Sequence, residues 1–221
     1  MLQPMMTTHQ PTDTVGKILG AALAEFVEVG YHAATVRRIA VRAGVSVPTL
    51  YVYVESKQYL LMELCKGAME ELFEVCERAI EKAGKGVIDR FCALLREHIR
   101  YHATNQLESF ISNSELRSLI PSNRKIIVAL RDRHQRLFSD LIMQGVEEGI
   151  FHVDELELAT KSIVSIANDV AIWYRKSGRL SPDEIADHLV KYSLDLVRAS
   201  GDCEWRVQMH DADSVRSASF K

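Results

Sequence analysis

No stretch of eighteen apolar residues occurs anywhere in the 221-residue chain, which excludes a conventional membrane span. Residues 1–14 lack a basic start followed by an apolar core, so no secretory signal is expected. The four cysteines, Cys65, Cys76, Cys92 and Cys203, form no C-x-x-C pair. This argues against a disulfide framework and a zinc finger, and fits a reducing, cytoplasmic setting. No alternating apolar run is bounded by Asn-Gly or Asp-Gly, so little or no sheet is expected. There is no Gly-rich phosphate loop, no G-x-S-x-G and no H-E-x-x-H, which removes the enzyme classes those motifs serve, and no cofactor is expected. Internal repeats and low-complexity blocks are also missing. With 47% apolar and 26% charged residues the composition is that of a globular protein, long enough for one ordinary domain and a smaller one.

What is present reads as helix after helix, about nine in all, and the fold class is all-α. Apolar residues recur at spacings of three and four over residues 14–29 (Ile18, Ala22, Phe26, Val29), ending at Gly30. Two short helices follow, 35–43 after the natural cap Thr35 and a second after the cap Ser46 with Pro48 in its first turn. Longer helices are predicted over 56–83, 87–103, 122–148, 154–177 and 181–199, with a short one over 110–118. Ser181-Pro182-Asp183-Glu184 spells a capping box. The predicted organisation is a three-helix head, 14–57, a helical body, 58–200, and mobile tails, 1–13 and 201–221.

Residues 35–57 carry the most information. Two short helices joined through Gly44, which can take the positive φ a tight turn needs, read as a helix-turn-helix. Ile39, Ala43, Val45 and Leu50 can fill its inner face. Between Tyr31 and Lys57 the cations Arg37, Arg38, Arg42 and Lys57 stand against Glu55 alone, a local balance of +3 in a chain of net −3. A basic head on an acidic body suits a module that sits on phosphates.

At these residues the chain resembles the TetR (tetracycline-repressor) family of bacterial transcription regulators. The matching pieces are Ala22, Phe26 and Gly30-Tyr31, T-V-R-R-I-A at 35–40, A-G-V-S at 43–46, and T-L-Y-x-Y-x-x-x-K at 49–57. The resemblance implies a helix from about Ser46 to Tyr53 in the major groove of double-stranded operator DNA. It implies Thr49 and Tyr51 on phosphates, Val47 and Tyr53 near base edges, Lys57 and Thr35 on the backbone, and Arg37 at the groove rim. It further implies a homodimer on palindromic sites.

In the body, Leu156, Ala159, Ile163, Ile166, Val170 and Trp173 form one seam, and Ile185, Leu189, Tyr192 and Leu196 another. Two such helices from each of two chains could build a four-helix bundle, with Ile163, Val170, Ile185, Leu189, Tyr192 and Leu196 as its contacts. The alternative is that both seams pack inside one chain. His98 and His102 lie four apart on the Phe91–Leu95–Ile99 side, His134 interrupts the stripe Ile126–Leu130–Leu137–Leu141, and Asn168 sits beside the first seam. Polar groups on apolar faces can orient a ligand in a cavity. A satisfied set of core histidines is the plainer reading. His98 and His102 have ligand spacing but no Cys, Asp or Glu partner nearby in sequence, so no metal is expected.

Arg131 and Arg133, Gly145-x-x-x-Gly149-x-Phe151, and Trp173-Tyr174-Arg175-x-x-Gly178-x-Leu180 look like the body of the TetR subset that answers to acyl-coenzyme A thioesters. The resemblance implies a small-molecule effector of that kind. The candidate lining is His98, Tyr101, His102, Phe110, Arg131, His134, Phe138, Asn168, Trp173 and Arg175. A different apolar or aromatic effector, a helical enzyme built on His98, His102 and His134, and a pure interaction module are the alternatives.

Overall fold

The computed structural model describes residues 11–200, with side chains from Thr14 onward. Among these residues there is no strand. The order is α1 (Pro11–Val29), α2 (Val36–Ala43), α3 (Val47–Tyr53), α4 (Lys57–Lys82), α5 (Val87–Thr104) and α6 (Gln106–Ser114). A 3-10 turn (Glu115–Ser118) leads to α7 (Pro121–Glu147), α8 (Leu156–Asn168), α9 (Val170–Trp173) and α10 (Pro182–Leu196). Counting α8 and α9 as one helix interrupted at Asp169, the described residues hold nine α-helices. No helix among them is long and apolar enough to cross a membrane.

Two compact units are formed: residues up to Gly67 together with Phe110–Ile127, and Ala68–Ser109 together with the residues from Val128 on. The division falls inside α4, ten residues after its start, and gives the first unit a segment distant in sequence.

In the first unit α1 packs on α2, and α2 on α3. Ile18, Ala22, Phe26, Ile39, Ala40 and Leu50 are buried. The turn between the two short helices is set by Gly44 at φ 70°, whose N–H and that of Val45 return to the carbonyls of Val41 and Ala40. Ser46 starts α3 by accepting from the Thr49 N–H at 3.1 Å.

The second unit is organised around α5, which packs against α8, α9 and α10. Phe91, Leu94, Leu95 and Ile99 of α5 join Phe138 and Ile142, Ile163 and Val170, and Ile185, Ala186 and Val190 in one core. The Ser181–Glu184 capping box forms as predicted. Gly145 is required where it stands: a Cβ there would lie 2.1 Å from the buried Phe151 ring.

Several expectations are corrected. Residues 11–13 belong to α1 rather than to a tail; the expectations for 1–10 and 201–221 fall outside the described residues. The helix expected over 154–177 breaks at Asp169 and ends at Trp173, where Tyr174 turns to φ −58°, ψ 142°. Side chains hold that end: Gln106 Nε2 donates to the carbonyls of Ala171 and Tyr174, and Arg175 Nη1 to those of Ile172 and Tyr174. On α7 the buried face is Ile127, His134, Phe138, Leu141 and Ile142; of the expected stripe Leu141 is buried, Leu130 and Leu137 pack half-buried against the core, and Ile126 is exposed, because the core faces the side of the helix centred near His134 and Phe138, which that stripe only borders.

Candidate nucleic-acid interface and buried histidine cluster

The phase of α3 is fixed by Leu50, fully buried. At 100° per residue, Pro48, Thr49, Tyr51 and Val52 then face away from the core, and all four are exposed. Tyr51 is 53% exposed and Val52 78%. Val47 and Tyr53, expected near base edges, are half-buried, and the exposed Val52 is absent from the sequence-derived set. Counting from Leu50 would have found it. Thr35 and Ser46 are exposed, and their hydroxyls are engaged as the caps of α2 and α3.

The cations are less free than the sequence window implied. Glu25 on α1, its side chain 2% exposed, pairs with Arg38 at 2.6 Å and with Arg42 at 3.5 Å, and Glu28 also pairs with Arg42. The local balance of +3 omitted these carboxylates, which lie outside the window in sequence. Arg37 is exposed and stands outside those pairs. Lys57, expected on the DNA backbone, donates in this structure to the carbonyls of Tyr31 (2.8 Å), His32 (3.3 Å) and Ala34 (2.8 Å), 4.4 Å over the Tyr31 ring. It closes the turn that feeds α2.

The expected effector residues separate into three places. His98, His102, His134, Phe138 and Asn168 come together in the second unit. His98 is fully buried. With the Asn168 amide oxygen facing it at 3.0 Å, His98 donates from Nε2, and its Nδ1 accepts from His134 Nε2 at 2.9 Å. Phe138 meets both rings edge-on. Burial, then the neighbouring rings, pushes His98 well below the usual imidazole range. Burial likewise takes His102 and His134 down to about 4. All three rings are therefore neutral at pH 7. Tyr101 is buried beside them in sequence, its hydroxyl donating to Ala68 O and Glu71; burial and that carboxylate push its pKa up. Arg131 is half-buried, and its charge acts on His102.

Trp173 and Arg175 lie elsewhere in the second unit, lining a cleft of about 510 Å³ with Tyr174, Arg179, Leu180, His188, Leu189 and Tyr192. Phe110 belongs to the first unit and is exposed.

The expected dimer contacts also divide. Ile163, Val170 and Ile185 are core residues of their own chain, so they present no surface to a partner. Leu189 is half-buried, and Tyr192 and Leu196 are exposed. The exposed apolar residues of α8, α9 and α10 are Leu158, Ile166, Ile172, Trp173, Tyr192 and Leu196.

Two family profiles match the chain: "Bacterial regulatory proteins, tetR family" over residues 18–64, and "Tetracyclin repressor-like, C-terminal domain" over residues 84–197. The HTH-type transcriptional repressor KstR2 of Mycobacterium tuberculosis is 28% identical over 188 residues, 84% of this chain and 94% of that protein. A crystal structure of a tetR-family bacterial regulatory protein from Rhodococcus RHA1 superposes with TM-score 0.80 at 26% identity, over 85% of this chain and 98% of the other. AibR, solved with isovaleryl coenzyme A and operator DNA, shares the fold at TM-score 0.76 and 20% identity, over 85% of this chain and all of AibR.

Proposed function

The chain belongs to the TetR family of bacterial transcription regulators, and from that premise we propose that it is a repressor that binds palindromic operator DNA as a homodimer and leaves it on binding an acyl-coenzyme A thioester. The observation that carries the DNA reading is the outward face of α3. A buried Leu50 and a capped, glycine-closed turn hold Thr49, Tyr51 and Val52 rigidly in the solvent, beside exposed Arg37. Hydroxyls suit phosphate oxygens and a valine methyl suits the thymine methyl, so the face can both register on the backbone and read sequence.

A homodimer is supported by the exposed apolar residues of α8–α10, with Ile166, Tyr192 and Leu196 replacing the buried residues of the expected contact set. For the effector, the isovaleryl coenzyme A of the AibR structure supplies the ligand class. Arg175 and Arg179 line a largely apolar cleft, the combination a thioester with phosphates at one end and an acyl tail at the other requires. Because α4 and α7 each run through both units, a ligand that shifts the body can alter the head along continuous helices. Effector and operator then weaken each other reciprocally, by roughly 1–3 kcal/mol.

The test is a fluorescence-anisotropy titration of a labelled duplex from the DNA flanking its own gene, with a panel of acyl-CoA thioesters, free coenzyme A and the free acids. Release by a thioester and not by its parts supports the proposal. Tight binding that no thioester disturbs removes the effector class, and absence of binding at low salt removes the operator.

A further inference from the structure

Three helices each bring one metal-ligating side chain to the same buried point. Cys76 of α4, His98 of α5 and His134 of α7 are all buried, and a ligand atom from each lies within 4.8 Å of the others. This grouping was invisible in the sequence, where the nearest two are 22 positions apart. A second feature is independent of it. Neither ring nitrogen of His102, nor Nδ1 of His134, has a hydrogen-bond partner, although both residues are more than nine-tenths buried. The His102 ring centroid is 4.6 Å from that of His98. A buried polar atom without a partner is unfavourable, since it has given up its bonds to water for none in the protein. A neutral ring carries one N–H and one lone pair, so His102 holds an unpartnered lone pair next to the His98 ring.

We propose that the second unit holds a zinc(II) site formed by Cys76, His98 and His134, with His102 as the nearest source of a fourth ligand. One thiolate with imidazoles is a donor set that zinc accepts, and carboxylate-preferring cations such as magnesium and calcium do not. The nitrogen pair stands close to what is needed. With Zn–N near 2.05 Å, two imidazole nitrogens in a tetrahedral site stand roughly 3.3 Å apart. His98 Nδ1 and His134 Nε2 are 2.9 Å apart, so the two rings separate by about 0.4 Å as the cation replaces their shared hydrogen. His134 then carries its proton on Nδ1, and the Cys76 thiol releases one proton to solvent, so the site binds as a thiolate with neutral imidazoles. Asn168 keeps accepting from His98 Nε2 and fixes that ring's tautomer and direction. The site would pin α4, α5 and α7 to one another, whatever effector the protein answers to.

The experiment uses the full chain, stripped with a chelator and desalted. Cobalt(II) alone is titrated in as the spectroscopic probe, followed by zinc(II). The expected result is one cobalt per chain, with a near-ultraviolet thiolate-to-cobalt band and the intense visible bands of a tetrahedral site, both removed by zinc. Zinc should raise the melting temperature of the stripped protein. Cys76→Ser should abolish the thiolate band, and His134→Asn should weaken cobalt binding at least about tenfold while leaving that band at saturation. Cys203→Ser should change neither. Should Cys76→Ser fail to fold, the stripped wild-type and Cys203→Ser proteins still decide the matter by stoichiometry, band and melting shift. Absence of the thiolate band in wild type overturns the proposal, as does a band lost in Cys203→Ser.

Discussion

Replacing Lys57 with methionine separates two roles that one side chain could play. Methionine keeps a comparable apolar stem and deletes the ammonium. In the structure that ammonium donates to three carbonyls of the turn between α1 and α2 and lies over the Tyr31 ring. A hydrogen bond from a charged donor contributes about 1.5–3 kcal/mol when measured singly. The three here share one ammonium, and the contact to His32 O is exposed, so they do not add in full. The ring contact contributes about 0.5–1 kcal/mol. The expected loss is about 2 kcal/mol of stability, seen as a lower urea midpoint at unchanged slope. Operator binding should weaken because the turn that presents α2 loosens. A clamped ammonium neutralises no phosphate, so the slope of log K against log salt should stay at its wild-type value. A phosphate contact would instead flatten that slope by about 0.9. A slope flattened by that much, with the urea midpoint unchanged, would refute the clamp.

Three further substitutions test other parts of the argument. Tyr51→Ala should cost most of the operator affinity in an anisotropy titration while circular dichroism and melting stay as in wild type, because the side chain is exposed; retained affinity would remove α3 as the reading helix. Tyr192→Glu should give monomers in light scattering with the fold intact, whereas Ile163→Ala should lower stability by about 2–5 kcal/mol and leave the subunits together at low denaturant. The opposite pattern would restore Ile163 to the interface. Gly145→Ala should destabilise by about 1–2 kcal/mol in urea, since overpacking against Phe151 outweighs the roughly 1 kcal/mol gained by removing a helical glycine. A more stable variant would show that the Phe151 ring yields freely.

How far the sequence could be read depended on the range of the interaction. Caps, turns and stops are local, and Thr35, Gly44, Ser46 and the Ser181–Glu184 box stand where the residues placed them. The head was legible for that reason, and because its motifs are dense. The charge balance failed on a helix pair: Arg38 and Arg42 meet Glu25 and Glu28 across α1 and α2, beyond any window that stopped at Tyr31. The expected contact set divides between core and surface on a helix with apolar residues on more than one side. Periodicity marks Ile163 and Ile166 equally as apolar, and only the placement of α5 and α10 decides which of the two faces inward.

Cys76 shows the same limit most sharply. Leu61, Cys65, Met69, Leu72 and Cys76 repeat at three and four along α4, and all are buried, so its burial could have been read from the spacing. Spacing along one helix says which way a residue faces and nothing about what it faces. By sequence His98 and His102 are poor ligands, since no sulfur or carboxylate stands at ligand spacing from them in the chain, but a donor from another helix needs no proximity in sequence. Three packed helices bring Cys76, His98 and His134 to one point, with the unpartnered His102 ring beside His98. A buried cluster of this kind is decided by tertiary packing alone, so the cobalt titration tests the packing of α4, α5 and α7 as directly as it tests the metal.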